Sequence, residues 1–170
     1  MFHVGERKKA NSSMQLTRAA DYGVRVMVAL AAMPPGERVS LPALARETGA
    51  PESFLSKVLQ ALTHAGLINS WRGQGGGFEM SALGREASIR GVIEAVDGPI
   101  VLNVCLGGEK ACSRSTWCPS HPVWAQAQQA MLAVLESARI QDLAEQGAVN
   151  EFVLVAKSCI APAMVGRAMN

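Results

Sequence analysis

The chain has 170 residues and a mass of 18.0 kDa, with 49% apolar and 18% charged residues. That size suits one domain, or one small domain with an appendage, and the composition excludes a disordered chain. The formal net charge of +2 lies wholly in residues 1–13, where Arg7, Lys8 and Lys9 outnumber Glu6, while 14–100 and 101–170 are each balanced. Bulk charge therefore argues for no nucleic-acid partner, and any such reading rests on local pattern.

Residues 1–13 are polar, basic and aperiodic, and read as a disordered leader. Met14 is a candidate start of the folded unit, or of translation. From Thr17, a good N-cap, a helix is expected to about Met33, with Ala20, Val24, Met27, Val28 and Ala31 at helical spacing. Pro34-Pro35-Gly36 stops it. A second short helix follows Ser40, with Leu41, Leu44 and Ala45 as its apolar face. Thr48-Gly49-Ala50 is a tight turn, and Pro51 suits the first turn of a third helix. Phe54, Leu55, Val58, Leu59 and Leu62 form its buried stripe, with Ser53, Ser56, Lys57 and Gln60 opposite. Gly66 ends it.

Leu67 to Arg72 reads as a strand and Phe78-Glu79-Met80 as its return. Gly73-Gln74-Gly75-Gly76-Gly77 is the hairpin tip. Ile89, Val92, Ile93 and Val96 mark a short helix closed by Asp97-Gly98-Pro99. Residues 100–118 read as a loop with three cysteines. Residues 121–146 read as one long amphipathic helix, with Trp124, Ala127, Met131, Val134, Leu135 and Ala138 on one side. Residues 147–170 form an apolar-leaning tail of unassigned structure. There are no internal repeats and no low-complexity tract.

Two short helices joined by a three-residue turn and followed by a hairpin give the winged helix-turn-helix order. The third helix presents small polar residues, Ser53, Ser56 and Lys57, that fit a major groove. Arg72, beside the glycine tip, suits a narrow minor groove. The plain alternative is a pair of short helices with a solvated polar face. A phosphate-cradle reading of the glycines fails, because no Lys-Ser/Thr pair and no helix follow them, and Phe78 breaks the GxGxxG spacing.

The chain holds no apolar run long enough to cross a bilayer, and its first residues lack the apolar stretch of a secretory signal. Four unevenly spaced cysteines without an export signal favour metal or redox chemistry over a disulfide framework. Cys105, Cys112 and Cys118 follow a C-x6-C-x5-C pattern, and His121 lies three residues further on. Thiolates and imidazole suit iron–sulfur clusters and zinc. Gly107 and Gly108 let the loop wrap, whereas the paired C-x2-C knuckles typical of zinc are absent. Free thiols in a flexible loop are the alternative, and His121 could simply cap the long helix. Cys159 stands apart in the tail.

As a set, these residues resemble the Rrf-type (IscR/NsrR/RirA-like) bacterial transcription regulators over roughly 14–146. The match runs through Met14-Gln15-Leu16-Thr17, Asp21-Tyr22, Leu44-Ala45, Phe54-Leu55, Leu62, Gly66-Leu67, the 72–78 wing, Ile93-Glu94-Ala95-Val96-Asp97-Gly98 and the cysteines. The resemblance implies a mainly α fold with a small β-hairpin wing and a long C-terminal dimerisation helix. It divides the chain into a 1–13 leader, a 14–98 DNA-binding domain, a 99–120 cluster-binding loop, a 121–146 dimerisation helix and a 147–170 tail. It implies a cytoplasmic homodimer that binds double-stranded operator DNA, with no membrane partner. Pro51, Ser53, Phe54, Ser56 and Lys57 would start the recognition helix, and Arg72, Gly73, Gln74 and Gly75 would form the wing. Trp124, Ala127, Met131, Val134 and Leu135 would face the twin helix. An iron–sulfur cluster, 2Fe–2S or 4Fe–4S, is implied on Cys105, Cys112 and Cys118, with His121 as fourth ligand and Asp21 of the other subunit as its rival. Asp21 could equally pair with Arg18 or Arg25.

The expected function is transcription regulation, as a repressor or dual regulator, gated by a cluster that senses redox state, nitric oxide or iron supply. The alternative is a cluster-free thiol- or ligand-sensing regulator of the same fold. A zinc-binding regulator or an enzyme has less support, since paired carboxylates, a Ser/His/Asp set and a phosphate loop are all missing.

Overall fold

Helix α1 (Arg18–Ala31) begins where the Thr17 hydroxyl accepts the Ala20 amide at 3.1 Å. This computed structural model describes residues 16–147 apart from 74, 109 and 110. The 1–13 leader, Gln74, Cys159 and the tail beyond Gly147 lie outside the described residues. Ser40 caps α2 (Leu41–Thr48) by accepting the Ala43 amide, and Gly49, at φ 68°, closes it in the left-handed region that favours glycine. The chain then enters α3 (Glu52–His64). Pro51 is the residue before this helix rather than its first turn, with extended angles of φ −61° and ψ 135°.

Strands β1 (Ile68–Trp71) and β2 (Gly77–Met80) pair antiparallel, with Ile68 opposite Met80 and Trp71 opposite Gly77. A single β-bridge adds to the two-stranded sheet. Val39 exchanges both backbone hydrogen bonds with Phe78, each 2.9 Å, so the α1–α2 loop is laced to the hairpin. A short helix not anticipated above, α4 (Ala82–Arg85), is capped by Ser81, whose hydroxyl also donates to the Gly66 and Leu67 carbonyls. Helix α5 (Ile89–Asp97) is capped by Ser88.

The core joins α1, α3, α5 and β1. Met27, Leu30, Leu55, Leu59, Leu62, Ile68, Val92, Ile93 and Ile140 are 0–1% exposed. The inward stripe of α1 is Ala20, Gly23, Val26, Met27, Leu30 and Ala31, whereas Val24 and Val28 are only half-buried at its edge. Phe54, placed in the buried stripe of α3 by periodicity, is 38% exposed. No helix of the described residues is long and apolar enough to cross a membrane.

The helix expected over 121–146 is two. Helix α6 (His121–Ser137) ends at Ala138, which is extended at φ −85° and ψ 104°. The cause is tertiary. The Ala138 carbonyl accepts the Ile89 amide at 2.9 Å, and the Ile140 amide donates to Ala87 at 3.0 Å. A second helical stretch at 140–147 then buries Ile140 and Ala144. Ile140→Ala is expected to cost about 2–5 kcal/mol in urea unfolding, the range for truncating a buried isoleucine. A single continuous exposed helix would predict almost no change.

Candidate DNA interface and cysteine loop

The packing of α3 decides what it offers outward. Leu55, Val58, Leu59 and Leu62 face the core, which leaves Pro51, Ser53, Lys57 and Gln60 exposed and Ser56 half-buried. No side chain caps the start of α3: the Phe54 amide donates to the Pro51 carbonyl at 3.0 Å, and no side chain takes the amides of Glu52 and Ser53. Phe54 packs edge-on against Tyr22 of α1 with ring centroids 5.7 Å apart. It therefore braces the recognition helix while still reaching the surface.

The wing follows from the strand register. Gly73 (φ 91°) and Gly75 (φ 79°) adopt positive φ, and the Gly76 amide donates to the Gly73 carbonyl at 3.0 Å, closing the tip. Arg72 is exposed at the foot of this turn. Sequence reasoning missed its neighbours. The Arg38 guanidinium carbon lies 4.2 Å from the Trp71 ring centroid. The indole N–H of Trp71 donates to the Glu79 carboxylate at 3.2 Å. The strand alternation could have placed Trp71 and Glu79 on one face, but only the Val39 bridge brings Arg38 to them.

The cysteine loop is a chain of turns. Cys105 sits in a 3-10 turn, Val104–Leu106. The Ser115 amide and hydroxyl both donate to the Cys112 carbonyl, the Cys118 amide to Arg114, and the His121 amide to the Cys118 carbonyl. The Leu102 amide donates to the Gln128 side chain at 2.9 Å, which ties the loop to α6. Cys105, Cys112 and Cys118 are free and half-buried. They share one segment with His121, but among the described residues no three His, Cys, Asp or Glu side chains converge as metal ligands. The donor set, three thiols and an imidazole, has the right chemistry for a cluster. Asp21, the rival fourth ligand, forms an ion pair with Arg25 at 2.9 Å on the surface of α1.

Helix α6 buries no residue. Trp124 and Ala127 are exposed, Val134 is 68% exposed, and Met131 and Leu135 are half-buried. Between α5, the 3-10 turn and α6 lies an open groove of about 400 Å³, lined by Arg90, Leu106, Gln128, Leu132 and Glu136 among others. Glu136 accepts the Ser88 hydroxyl at 3.2 Å and lies 4.0 Å from Arg90, so α6 is fastened to α5 at its far end.

A braced helix-turn-helix with a polar outward face, beside a wing with an exposed arginine, defines a winged helix-turn-helix DNA-binding regulator. The chain belongs to the Rrf2 family, described as an iron-dependent transcriptional regulator, whose profile matches residues 16–146. It is a transcriptional regulator rather than an enzyme. It is 35% identical over 142 residues to the HTH-type transcriptional regulator Rv1287 of Mycobacterium tuberculosis, covering 82% of this chain and 86% of that one. The HTH-type transcriptional repressor NsrR of Streptomyces coelicolor is 28% identical over 131 residues, covering 76% and 88%. Among solved structures, the oxidized form of Staphylococcus aureus CymR superposes with a TM-score of 0.62 at 25% identity, covering 78% of this chain and 97% of that one.

Arg72→Ala is expected to weaken duplex binding by about 1–3 kcal/mol without moving the thermal melting point. Fluorescence anisotropy beside a melting curve checks both.

Proposed function

We propose that two copies of the chain dimerise through α6 in the cytoplasm, bind operator DNA, and are switched by the thiols of Cys105, Cys112 and Cys118. The observation that carries this reading is three free, half-buried cysteines in one loop fastened to α6. The exposed apolar residues of α6, Trp124, Ala127 and Val134, suit a twin helix. Pro51, Ser53, Phe54, Ser56 and Lys57 would enter the major groove, and Arg72 with Gly73, Gln74 and Gly75 the adjacent minor groove.

Thiol chemistry supplies a balanced switch. A thiolate attacks hydrogen peroxide, breaking the O–O bond to give a sulfenic acid and, after protonation, water. A second thiol then displaces that hydroxyl as another water, leaving a disulfide. Two thiols are oxidised and one peroxide is reduced. A disulfide needs Cα atoms within about 7 Å, so forming one reshapes the loop. That would pull on Leu102, bonded to Gln128, and on Leu106, which lines the α5–α6 groove, and so change how the two recognition helices are spaced. A relative crystallised as an oxidized form, CymR, supports this reading.

The second reading is an iron–sulfur cluster, 2Fe–2S or 4Fe–4S, on the same three cysteines with His121 or Asp21 as fourth ligand. It is favoured by three thiols and an imidazole within one short segment, by the iron-dependent description of the family and by the NsrR relatives. A zinc site has less support.

One experiment separates the two. In metal-free protein, peroxide is expected to consume two thiols per chain and change duplex affinity about 5- to 150-fold, reversibly with dithiothreitol. Cys112→Ser is expected to abolish the change if Cys112 is one of the pair, and Cys105→Ser and Cys118→Ser identify the partner. Anaerobic treatment with iron and sulfide that yields coloured protein of matching iron and sulfide content, whose loss alters binding, would establish the cluster reading instead.

A further inference from the structure

The basic side chains divide by whether the fold uses them. Arg25 pairs with Asp21, and Arg90 with Glu94 at 3.2 Å. Arg85 spans the Gln141 side chain and the Met33 carbonyl, and Arg139 donates to the Glu86 carbonyl at 2.7 Å. Arg38 has no hydrogen bond or ion pair among the described residues, yet it is not loose. Its guanidinium lies 4.2 Å from the centroid of Trp71. Such stacking occupies the face of the guanidinium and leaves its N–H edge open.

Three details make this a built arrangement. Trp71 lies opposite Gly77, which has no side chain to displace the ring. Its indole N–H is taken by Glu79, and no ion pair forms between Glu79 and Arg38. The residue after Arg38 is tied by the Val39–Phe78 bridge to β2, the partner strand of the one that carries Trp71. Arg72 follows Trp71 directly. One forked cationic donor therefore lies over a half-exposed indole, 48% accessible, and a second, exposed, is its neighbour in the chain at the foot of the wing.

We propose that Arg38 is a second DNA-phosphate contact of the wing, held in its binding orientation by Trp71. A planar guanidinium matches a phosphate with two parallel hydrogen bonds, and a stacked one has less freedom to lose on binding. Arg38 contributes affinity without sequence information, whereas Arg72 reaches the groove beside it. This inference rests on the winged helix-turn-helix reading and not on what the cysteines sense.

The test uses the full chain and a labelled mixed-sequence duplex about three helical turns long, with affinity measured across a salt series. Arg38→Ala is expected to bind about tenfold more weakly, and to lower the slope of log affinity against log salt by about one for each Arg38 that meets a phosphate. Arg38→Lys is expected to recover the slope but only part of the affinity. Trp71→Leu is expected to keep the slope and lose affinity, because the charge remains but its orientation does not. Unchanged affinity and slope in Arg38→Ala, with an unchanged melting point, would overturn the proposal. A loss of affinity with an unchanged slope would also overturn it, making Arg38 a brace only. Failure of the wild-type chain to bind duplex at all would instead strike the DNA-binding reading itself.

Discussion

The buried face of α3 is the constraint on which the rest depends. Leu55, Val58, Leu59 and Leu62 are clasped between α1 and α5 and are 0–3% exposed. Each such side chain is worth roughly 1.5–3 kcal/mol when fully buried. The Asp21–Arg25 ion pair on the neighbouring surface is about half exposed and worth only a few tenths of a kcal/mol. Apolar packing, not surface charge, therefore fixes the rotation of α3. With that rotation set, Ser53, Lys57 and Gln60 have nowhere to point but outward. The position of the wing follows from the same core through Ile68 and Met80.

The polar side chains that are not offered outward form a continuous linkage. Gln128 of α6 holds the cysteine loop, Glu136 of α6 accepts from Ser88 at the head of α5, and Asp97 at the end of α5 accepts from Thr17 at the head of α1. Tyr22 of α1 then meets Phe54 of α3. A displacement of α6 has a physical route to the recognition helix in which each step is a named contact. Contiguity alone is not coupling, which needs an element with two arrangements. Helix α6 suits that role because it buries no side chain of its own and is held by polar contacts rather than by core packing.

What was legible in the sequence was local. Thr17 and Ser40 announced their helices because an N-cap needs only its own next turn, whereas the Ser88 cap of α5 was not picked out. Gly49 and the wing glycines were legible because positive φ has few tolerant residues. The break at Ala138 was not, since neither Ala138 nor Arg139 is a helix breaker. It is imposed by backbone bonds to Ala87 and Ile89, about fifty residues earlier. The one-residue strand at Val39 has no period to detect, so the Arg38–Trp71 contact was invisible as well. The cysteines show both sides. Their clustering in sequence was plain, but ligand convergence is a property of three dimensions, and among the described residues no three such side chains come together.

The charge balance acquires a structural meaning from the wing. Residues 14–100 are neutral in sum, but the sum conceals a division of labour. Arg25 and Arg90 have carboxylate partners at ion-pair distance, while Arg85 is anchored by neutral acceptors. Among the cations with no ion-pair partner among the described residues, Lys57 lies on α3, Arg72 at the foot of the wing, and Arg38 on the α1–α2 loop beside it. A neutral domain can therefore still present local cations, since Asp21, Glu94, Asp97 and Glu79 are each engaged by a partner of their own. Glu79 illustrates how closely this is arranged: it sits on the wing itself, yet its carboxylate is engaged by an indole N–H instead of cancelling the guanidinium on the other side of the ring. With so few cations per chain, dimer symmetry must double them to give useful affinity. In the proposed switch, such an interface would depend on the relative placement of two recognition helices more than on total charge, and placement is what a displaced α6 would alter.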